Sequence, residues 1–276
     1  MSIRDEILRA ASILAEAENA VASTGAGISA ESGIATFRDP GGVWERLNPA
    51  EVGTTYGLVS ALNRHPEKYV SIFIELLESL EQAEPNSGHR ALSDLESLGI
   101  VKTIITQNID NLHQEAGNTR VIEVHGNGFR LCCTSCGIRE EKDRKALLRE
   151  TRDRIRSLTS YSLEAFMEVM PRCESCGAMM RPDVVMFGEA VQGLPAAFDA
   201  VRTCQVMLAL GTSGVVYPAA YFPFEAKQAG AYVIVVNPRE NPFYAVSDVY
   251  LPMKAGEALP EIVAAVRKIR GADQVF

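Results

Sequence analysis

Short apolar runs recur along this chain of 276 residues, separated by stretches with the three-to-four-residue spacing of amphipathic helices. The runs predict strands at Ala20–Thr24, Val101–Thr106, 121–124, 184–187, Val206–Leu210 and Tyr232–Val236, with Val249–Leu251 as a candidate last one. Strand and helix patterns that alternate in this way imply an α/β fold built on a parallel sheet. Most runs finish in a small or polar cluster: Gly25-Ala26-Gly27, Gln107-Asn108, His125-Gly126, Gly188-Glu189, Gly211-Thr212-Ser213 and Asn237-Pro238. Ligands of an open parallel sheet sit beyond the carboxyl ends of its strands, so these clusters are expected to line one crevice.

The first 20 residues predict an amphipathic helix capped at Ser2, with Ile3, Ile7, Leu8, Ala11 and Leu14 on its apolar face. Two stretches interrupt the alternation. Residues 36–85 open with the turn Asp39-Pro40-Gly41-Gly42 and continue into helical sequence such as 71–80. Residues 132–181 begin and end with cysteine pairs; between them, residues 140–156 hold seven basic and five acidic residues, which predicts a solvated charged helix. There is no internal repeat and no low-complexity tract.

The length and 47% apolar content suit one sizeable domain carrying smaller inserted modules. A net charge of −8 argues against non-specific nucleic-acid or anionic-lipid partners and tolerates basic substrates. No run reaches the roughly 18–20 apolar residues of a membrane span, and the N-terminus lacks the features of a signal peptide. A cytoplasmic protein with reduced thiols is therefore expected, and its six cysteines are judged as metal ligands before disulfides.

Directly after the first strand, Gly25-Ala26-Gly27-Ile28-Ser29-Ala30 satisfies G-x-G-x-x-G/A, in which glycines let the backbone approach a pyrophosphate. A glycine turn holding no ligand is the competing reading. A dehydrogenase half-fold would end a second strand in an acidic residue about 20 positions on. Here the chain runs through Glu31-Ser32-Gly33-Ile34 to Phe37-Arg38 and the Gly/Pro turn, a poor match. Arg38 either reaches phosphate oxygens or is a surface arginine.

Cys133-x-x-Cys136 and Cys173-x-x-Cys176 each precede a glycine, and two such knuckles supply the four thiolates of tetrahedral zinc. Four protein ligands close the site, which makes the ion structural. Redox cysteines would need only one pair beside a βαβ unit. Cys132 offers a second register, but the x-x spacing favours Cys133; Cys204 reads as a buried thiol.

Thr106-Gln107-Asn108-Ile109-Asp110-Asn111 is a dense polar run at a strand end. Its amides and carboxylate suit recognition of a carboxamide and a ribose; a helix start capped by Asn108 or Asp110 is the alternative. His125 is the one histidine of four at a strand's carboxyl end, where a general base could reach the crevice. A structural histidine is the plainer reading there. His65, before Pro66, and His89 and His113, in helical segments, are given no role.

Together these residues resemble the sirtuin family of NAD-dependent protein deacylases, in its single-domain bacterial or archaeal form, from residue 20 to about 265. The likeness rests on GAGISAESGIATFR (25–38), TQNID (106–110), HG (125–126) and the paired C-x-x-C. It continues through RPDVVMFGE (181–189), GTSGVVYPA (211–219) and VVNP (235–238). It implies a Rossmann-like large domain of about 1–38, 86–126 and 182–276. The small domain would join a helical module, about 39–85, to a zinc module, about 127–181.

The resemblance assigns NAD to Gly25, Ala26, Gly27, Ser29, Glu31, Phe37, Arg38, Trp44, Gln107, Asn108, Ile109, Asp110, Gly211, Thr212 and Ser213. Asn237, Pro238 and Arg239 would hold the adenine ribose, and the backbone near Glu257-Ala258 would abut adenine. Ile109 and Asp110 would hold the nicotinamide amide. It makes His125 the base and has Asn108 position water, as an acyl group passes from lysine to ADP-ribose. The acyl-lysine peptide would lie as a strand between Val185-Met186-Phe187-Gly188-Glu189 and Gly214-Val215-Val216-Tyr217.

Two departures bear on substrate. Gly214 stands where many deacetylases have leucine, which leaves more room. Relatives preferring acidic acyl groups carry Tyr-x-x-Arg, whereas Tyr69 is followed by Ile72 and no arginine lies between Arg64 and Arg90. Val70, Ile72, Phe73, Ile74, Leu76 and Leu77 instead lead us to expect an apolar pocket for acetyl or longer aliphatic chains, although a helix core would show the same pattern. Rival readings are mono-ADP-ribosyl transfer to protein, bare NAD hydrolysis and a catalytically silent NAD-sensing scaffold. The oligomeric state is left open.

Overall fold

Nine strands form among the residues that the computed structural model describes, 2–36 and 42–271. They are β1 (Ala20–Thr24), β2 (Val101–Thr106), β3 (Val121–Glu123), β4 (Gly126–Cys133), β5 (Arg139–Glu141), β6 (Met180–Val184), β7 (Val206–Leu210), β8 (Tyr232–Val236) and β9 (Val249–Leu251). Six make a wholly parallel sheet in the order β3-β2-β1-β7-β8-β9; the other three make an antiparallel sheet, β5-β4-β6.

The predicted strand at 184–187 is corrected. The strand at this place is Met180–Val184, paired with β4 in the small sheet. Residues 185–187 leave it, with Val185 N donating to His125 O and Phe187 N to Gly53 O. A four-residue apolar run does not say which sheet it joins, and the cysteine knuckle just before it fixes the pairing. Strands β4 and β5 were not anticipated, because β5 is Arg-Glu-Glu and half of β4 is polar or glycine.

Among the described residues twelve α-helices accompany the sheets: α1 (Ile3–Glu16), α2 (Val43–Arg46), α3 (Pro49–Val52), α4 (Thr55–Arg64), α5 (Pro66–Gln82), α6 (Ser87–Ser97), α7 (Leu112–Glu115), α8 (Arg144–Arg156), α9 (Leu163–Val169), α10 (Leu194–Thr203), α11 (Phe222–Gln228) and α12 (Ala255–Ile269). The period-2 alternation of the central strands sorts their side chains into two layers. Val206, Leu208, Leu210, Ile234 and Val236 pack with Leu14 of α1, Leu92 of α6 and Ile262 of α12. Met207, Ala209, Val233 and Val235 pack with Val201 of α10 and Phe222 of α11. Each such large aliphatic side chain contributes about 1.5–3 kcal/mol of burial.

The reciprocal Ser2–Asp5 capping box starts α1 as expected. Its buried face, however, is Ile7, Ala10, Ala11 and Leu14; Ile3 and Leu8 are half exposed. Leu8 lies 100° around the helix from Ile7, and Ile3 sits one turn out, at the free end.

In α12, Pro260 cannot donate to the carbonyl four residues back, Gly256 O. The Ser87 hydroxyl donates to that carbonyl instead (2.6 Å), and Glu31 Oε2 accepts the N–H of Gly256 (2.8 Å). Two side chains thus repair the helix start.

The expected solvated helix over 140–156 begins at Arg144, and part of the preceding stretch is β5. It is not simply solvated: Leu148 and Ile155 are buried with Val70 and Leu77 of α5. Its charges meet that helix in the pairs Arg156–Glu78 (2.5 Å) and Arg152–Glu81, and the segment just after it in Lys145–Glu84.

Strand order reverses between β1 and β7, and there the two following turns cross. Gly25 N donates to Leu210 O (3.0 Å) and Gly27 N to Gly211 O (2.8 Å). A Cβ on Gly27 would stand 2.7 Å from Gly211 Cα, and one on Gly211 2.4 Å from Ile28 N, with Gly211 at φ +57°. The glycines therefore serve first to let two turns touch. Gly211→Ala is expected to cost at least about 2 kcal/mol, from strain plus overlap with backbone that cannot yield. Denaturant unfolding checks this, and an alanine variant as stable as the parent would contradict it.

Candidate active site at the strand ends

Beyond these strands the polar clusters bond to one another. Gln107 N donates to Thr24 O (2.9 Å), and its side-chain amide donates to Thr212 Oγ1 (3.1 Å), so the turns after β2 and β7 are joined across β1. Asn108 Nδ2 donates to Gly25 O (3.2 Å) and to Ser29 Oγ (3.0 Å). Asn241, not singled out from the sequence, donates through its side chain to Thr212 O (2.9 Å). Ala26 is the first residue of a 3₁₀ turn, where an N–H has no intrahelical acceptor and suits an anion.

Below this layer lies a buried network. Ser29, fully buried, donates to Asp110 Oδ2 (2.6 Å), while Asp110 Oδ1 accepts the N–H of Leu112 (3.0 Å). Burial pushes the Asp110 carboxyl upward, against the pull of the Ser29 hydroxyl. His89 accepts the Asn86 N–H at Nδ1 (3.3 Å), which fixes the tautomer and turns Nε2–H toward Ser29 Oγ, 3.5 Å away. His113 Nε2 meets Thr24 Oγ1 at 2.9 Å, and the two imidazoles touch edge-on with centroids 4.9 Å apart.

His89 and His113 are thus both wholly buried at the back of the site, although helical spacing suggested nothing of the kind. Desolvation lowers them to about 4 and about 3; Arg90 adds to the effect on His89, and His89 to that on His113.

His125 follows β3, and its Nδ1 lies 3.1 Å from Gln107 O. A carbonyl only accepts, so Nδ1 carries the proton and Nε2 keeps the basic lone pair. Partial burial lowers its pKa, with the Gln107 carbonyl partly offsetting this. Gly126 follows at φ +79°, where a Cβ would fall 1.9 Å from Asp183 O. Only glycine lets the small sheet start directly after this histidine.

Other expected positions lie apart. Asn237, Pro238 and Arg239 end β8, where Asn237 N donates to Leu251 O (3.1 Å) and Asn237 O accepts the Tyr250 hydroxyl (3.0 Å). Ser213 is exposed beside the buried Thr212. Ala258 points into the core, and the Glu31 carboxylate caps α12. Phe37, Arg38 and the side chain of Trp44 lie outside the described residues.

Along 185–187 the N–H groups are already donated, to His125 O (2.9 Å), Glu189 Oε2 (3.1 Å) and Gly53 O (2.8 Å). Gly188 has φ +88°, and Glu189 also accepts from Arg181 (2.9 Å). Phe187, Val215 and Tyr217 are exposed, and Val216 is half-buried. On α5, Val70 and Leu77 belong to the core shared with α8; Phe73 and Leu77 also wall a cavity of about 130 Å³ with Phe129 and Leu148.

Cys133, Cys136, Cys173 and Cys176 bring their sulfurs within 4.8 Å of one another. Cys133 and Cys176 are 3.5 Å apart, and Cys136 and Cys173 3.7 Å. Tetrahedral zinc with bonds of about 2.3 Å needs sulfurs about 3.8 Å apart. Each knuckle closes on a glycine with positive φ, Gly137 and Gly177. The Cys136 and Ser135 N–H groups, each 3.5 Å from Cys133 Sγ, pull that thiol down to about 6. The four sulfurs fit a closed structural zinc, and Cys132 lies outside the set.

Two outcomes are expected. The folded-state pKa values of His89 and His113 lie below the ordinary 6.5, so the unfolded chain takes up protons first. Stability should be full above about pH 6.5 and fall as pH drops toward about 4. Urea unfolding at pH 7 and pH 5 tests this, and equal stability would refute it. Metal analysis should find one zinc per chain, with Cys136→Ser losing it and melting lower; full zinc occupancy in that variant would exclude the assignment.

The profile of the Sir2 family matches residues 25–218. A protein of Desulfosudis oleivorans named NAD-dependent protein deacylase is 58% identical over 270 residues, 98% of this chain and 99% of that protein. A solved Sir2 homolog–NAD complex is 37% identical with a TM-score of 0.78, covering 95% of this chain and 94% of its own. Sir2Af2 bound to a myristoylated histone peptide is 35% identical with a TM-score of 0.70, covering 98% and 99%. The β3-β2-β1-β7-β8-β9 sheet, the four-cysteine cluster and the histidine beyond β3 all lie within this likeness, and the chain belongs to the Sir2 family.

Proposed function

We propose that the chain is an NAD-dependent protein-lysine deacylase that releases nicotinamide and O-acyl-ADP-ribose, a transfer of the acyl group. The observation that carries this reading is His125. A neutral imidazole with Nδ1–H tied to Gln107 O stands beside the loop of Asn108, Ile109 and Asp110, in a chain 58% identical to a protein named for this activity. The thiols gathered for metal suit a reducing compartment, the cytoplasm. Among the described residues no helix is long and apolar enough to cross a membrane.

The division of labour follows from placement. Gly25, Ala26, Gly27, Thr212 and Ser213 would hold the phosphates, with Arg38, and Gly211 keeps the two turns in contact. Gln107, Asn108, Ile109 and Asp110 would hold the nicotinamide side, with Ser29 fixing the Asp110 carboxylate from behind. Asn237, Pro238 and Arg239 would face the adenine ribose. Glu31 and Ala258 would shape the adenine end by setting α12, and Phe37 and Trp44 would cover the centre. NAD, when bound, supplies an electrophilic ribose carbon and the hydroxyl that accepts the acyl group.

His125 Nε2 takes the proton of that hydroxyl, and Gln107 O steadies the resulting imidazolium through Nδ1–H. Asn108 orients water. The peptide would add as a strand between 185–189 and 214–217. Since the N–H groups of 185–187 are already donated, it would be read on that side through carbonyl oxygens, which keep a second lone pair. The large domain would comprise about 1–38, 86–126 and 182–276, and the small one about 39–85 and 127–181.

An acyl-peptide panel with NAD, followed by nicotinamide release and mass spectrometry, tests the proposal. Acetyl and longer aliphatic peptides are expected to be cleaved in preference to succinyl, with soluble acyl-ADP-ribose as product. ADP-ribose attached to protein would instead favour mono-ADP-ribosyl transfer. His125→Ala should lower deacylation by at least about 100-fold while NAD still raises the melting temperature. Because its pKa is lowered, kcat/KM should hold through neutral pH and fall only below about pH 6.5. Loss of NAD stabilisation in His125→Ala would make the residue structural.

A further inference from the structure

The loop that carries Ile109 and Asp110 is held from behind by Ser29, but its exit depends on the turn that follows. It continues through Asn111, at φ +64° the one described non-glycine residue with positive φ, into α7, a helix of four residues. One turn of helix has too few hydrogen bonds to hold its own position. His113 holds its middle against Thr24 Oγ1, and something outside must also fix its last residue.

Arg144, the first residue of α8, does so. Its Nε donates to Glu115 Oε1 (2.5 Å) and its Nη2 to Glu115 Oε2 (2.8 Å), a two-pronged grip on the last residue of α7. The same guanidinium donates through Nη1 to Leu80 O and through Nη2 to Ala83 O (2.8 Å), carbonyls at the end of α5. It lies over the Phe129 ring, 6.0 Å from the centroid, and is almost wholly buried. One side chain thus ties the charged helix behind the first cysteine knuckle, the end of the helical module and α7 of the large sheet.

From Glu115 the connection to the site is short. Glu115 N donates to Asn111 O, and at the other end of the turn Leu112 N donates to Asp110 Oδ1 (3.0 Å). The loop is gripped on its other flank by Gly128, whose N–H donates to Ile109 O (3.0 Å), next to the Phe129 that Arg144 covers. We propose that Arg144 is a positioning residue: its grip on Glu115 sets α7 and through it the Ile109–Asp110 pair at the nicotinamide end of the crevice. This rests on the reading of the site given above. The phosphate turns after β1 and β7 are held by their own glycine contacts, so they do not depend on Arg144.

The test uses full-length, zinc-loaded Arg144→Lys and Glu115→Gln proteins. Lysine keeps the charge but cannot supply the fork, and glutamine keeps the shape with a weaker pair. ADP-ribose, which lacks nicotinamide, should bind both variants as it binds the parent. The nicotinamide inhibition constant and the KM for NAD should each rise about tenfold, the scale expected of a small misplacement in the site. A double-variant cycle should show the two changes to be non-additive.

Equal weakening of ADP-ribose and nicotinamide, or no change in either, would overturn the proposal and leave Arg144 a general structural tie. A parent protein that bound neither ligand would instead overturn the reading of the nucleotide site.

Discussion

Everything in this molecule is arranged around the contact of two backbone turns at the point where the strand order of the large sheet reverses. Gly25 and Gly27 on one side and Gly211 on the other come so close that no side chain fits between them. That contact brings the ends of β1 and β7 together, and the amide of Gln107 then joins β2 to them through Thr212. Parallel strands leave a crevice at such a reversal; here the crevice floor is backbone, fixed by sterics rather than by flexible side chains.

Behind the floor, buried polar groups form a connected chain rather than a scatter, with His113 Nδ1 its one unpartnered atom. Ser29 donates to Asp110, accepts from Asn108 and faces His89. Burying a carboxylate and two imidazoles is costly, and the histidines meet that cost by staying neutral. The result is a hydrogen-bonded second layer behind the Asn108–Asp110 loop.

The small sheet is attached at the most sensitive point, one residue after His125. Gly126 allows the backbones to cross. Arg130 then spans the junction by pairing Glu123 of β3 (2.9 Å) with Asp183 of β6 (2.7 Å). Zinc at the far end of this sheet would order β4 and β6 through their knuckles. The cysteine cluster, helix α8 and the Ile109–Asp110 loop are therefore mechanically continuous although chemically separate.

Local information was enough for much of this. Five strands of the large sheet are legible to the residue, four of them because a mainly apolar run ends abruptly in glycine or amide, and β9 because its run stops at Pro252. The cysteine quartet is legible because knuckle geometry depends on spacing within four residues. The N-terminal capping box is legible for the same reason. Fold class, the four-cysteine cluster and the strand-end positions of His125 and residues 106–110 are thus legible in the sequence itself.

Other features exist only once the chain is folded. Strand Met180–Val184 holds Arg181, Pro182 and Asp183 and joins a sheet chosen by a partner about 50 residues away, so no apolar run marks it. His89 and His113 sit on separate helices with unremarkable spacing, and become a buried pair only when α6 and α7 pack together. Arg144 looks like one more charge in a basic stretch, and is buried because Glu115 and two helix-end carbonyls converge on it. The sequence determined which groups were available; long-range packing decided which of them meet, because only burial turns an ordinary polar residue into a fixed one.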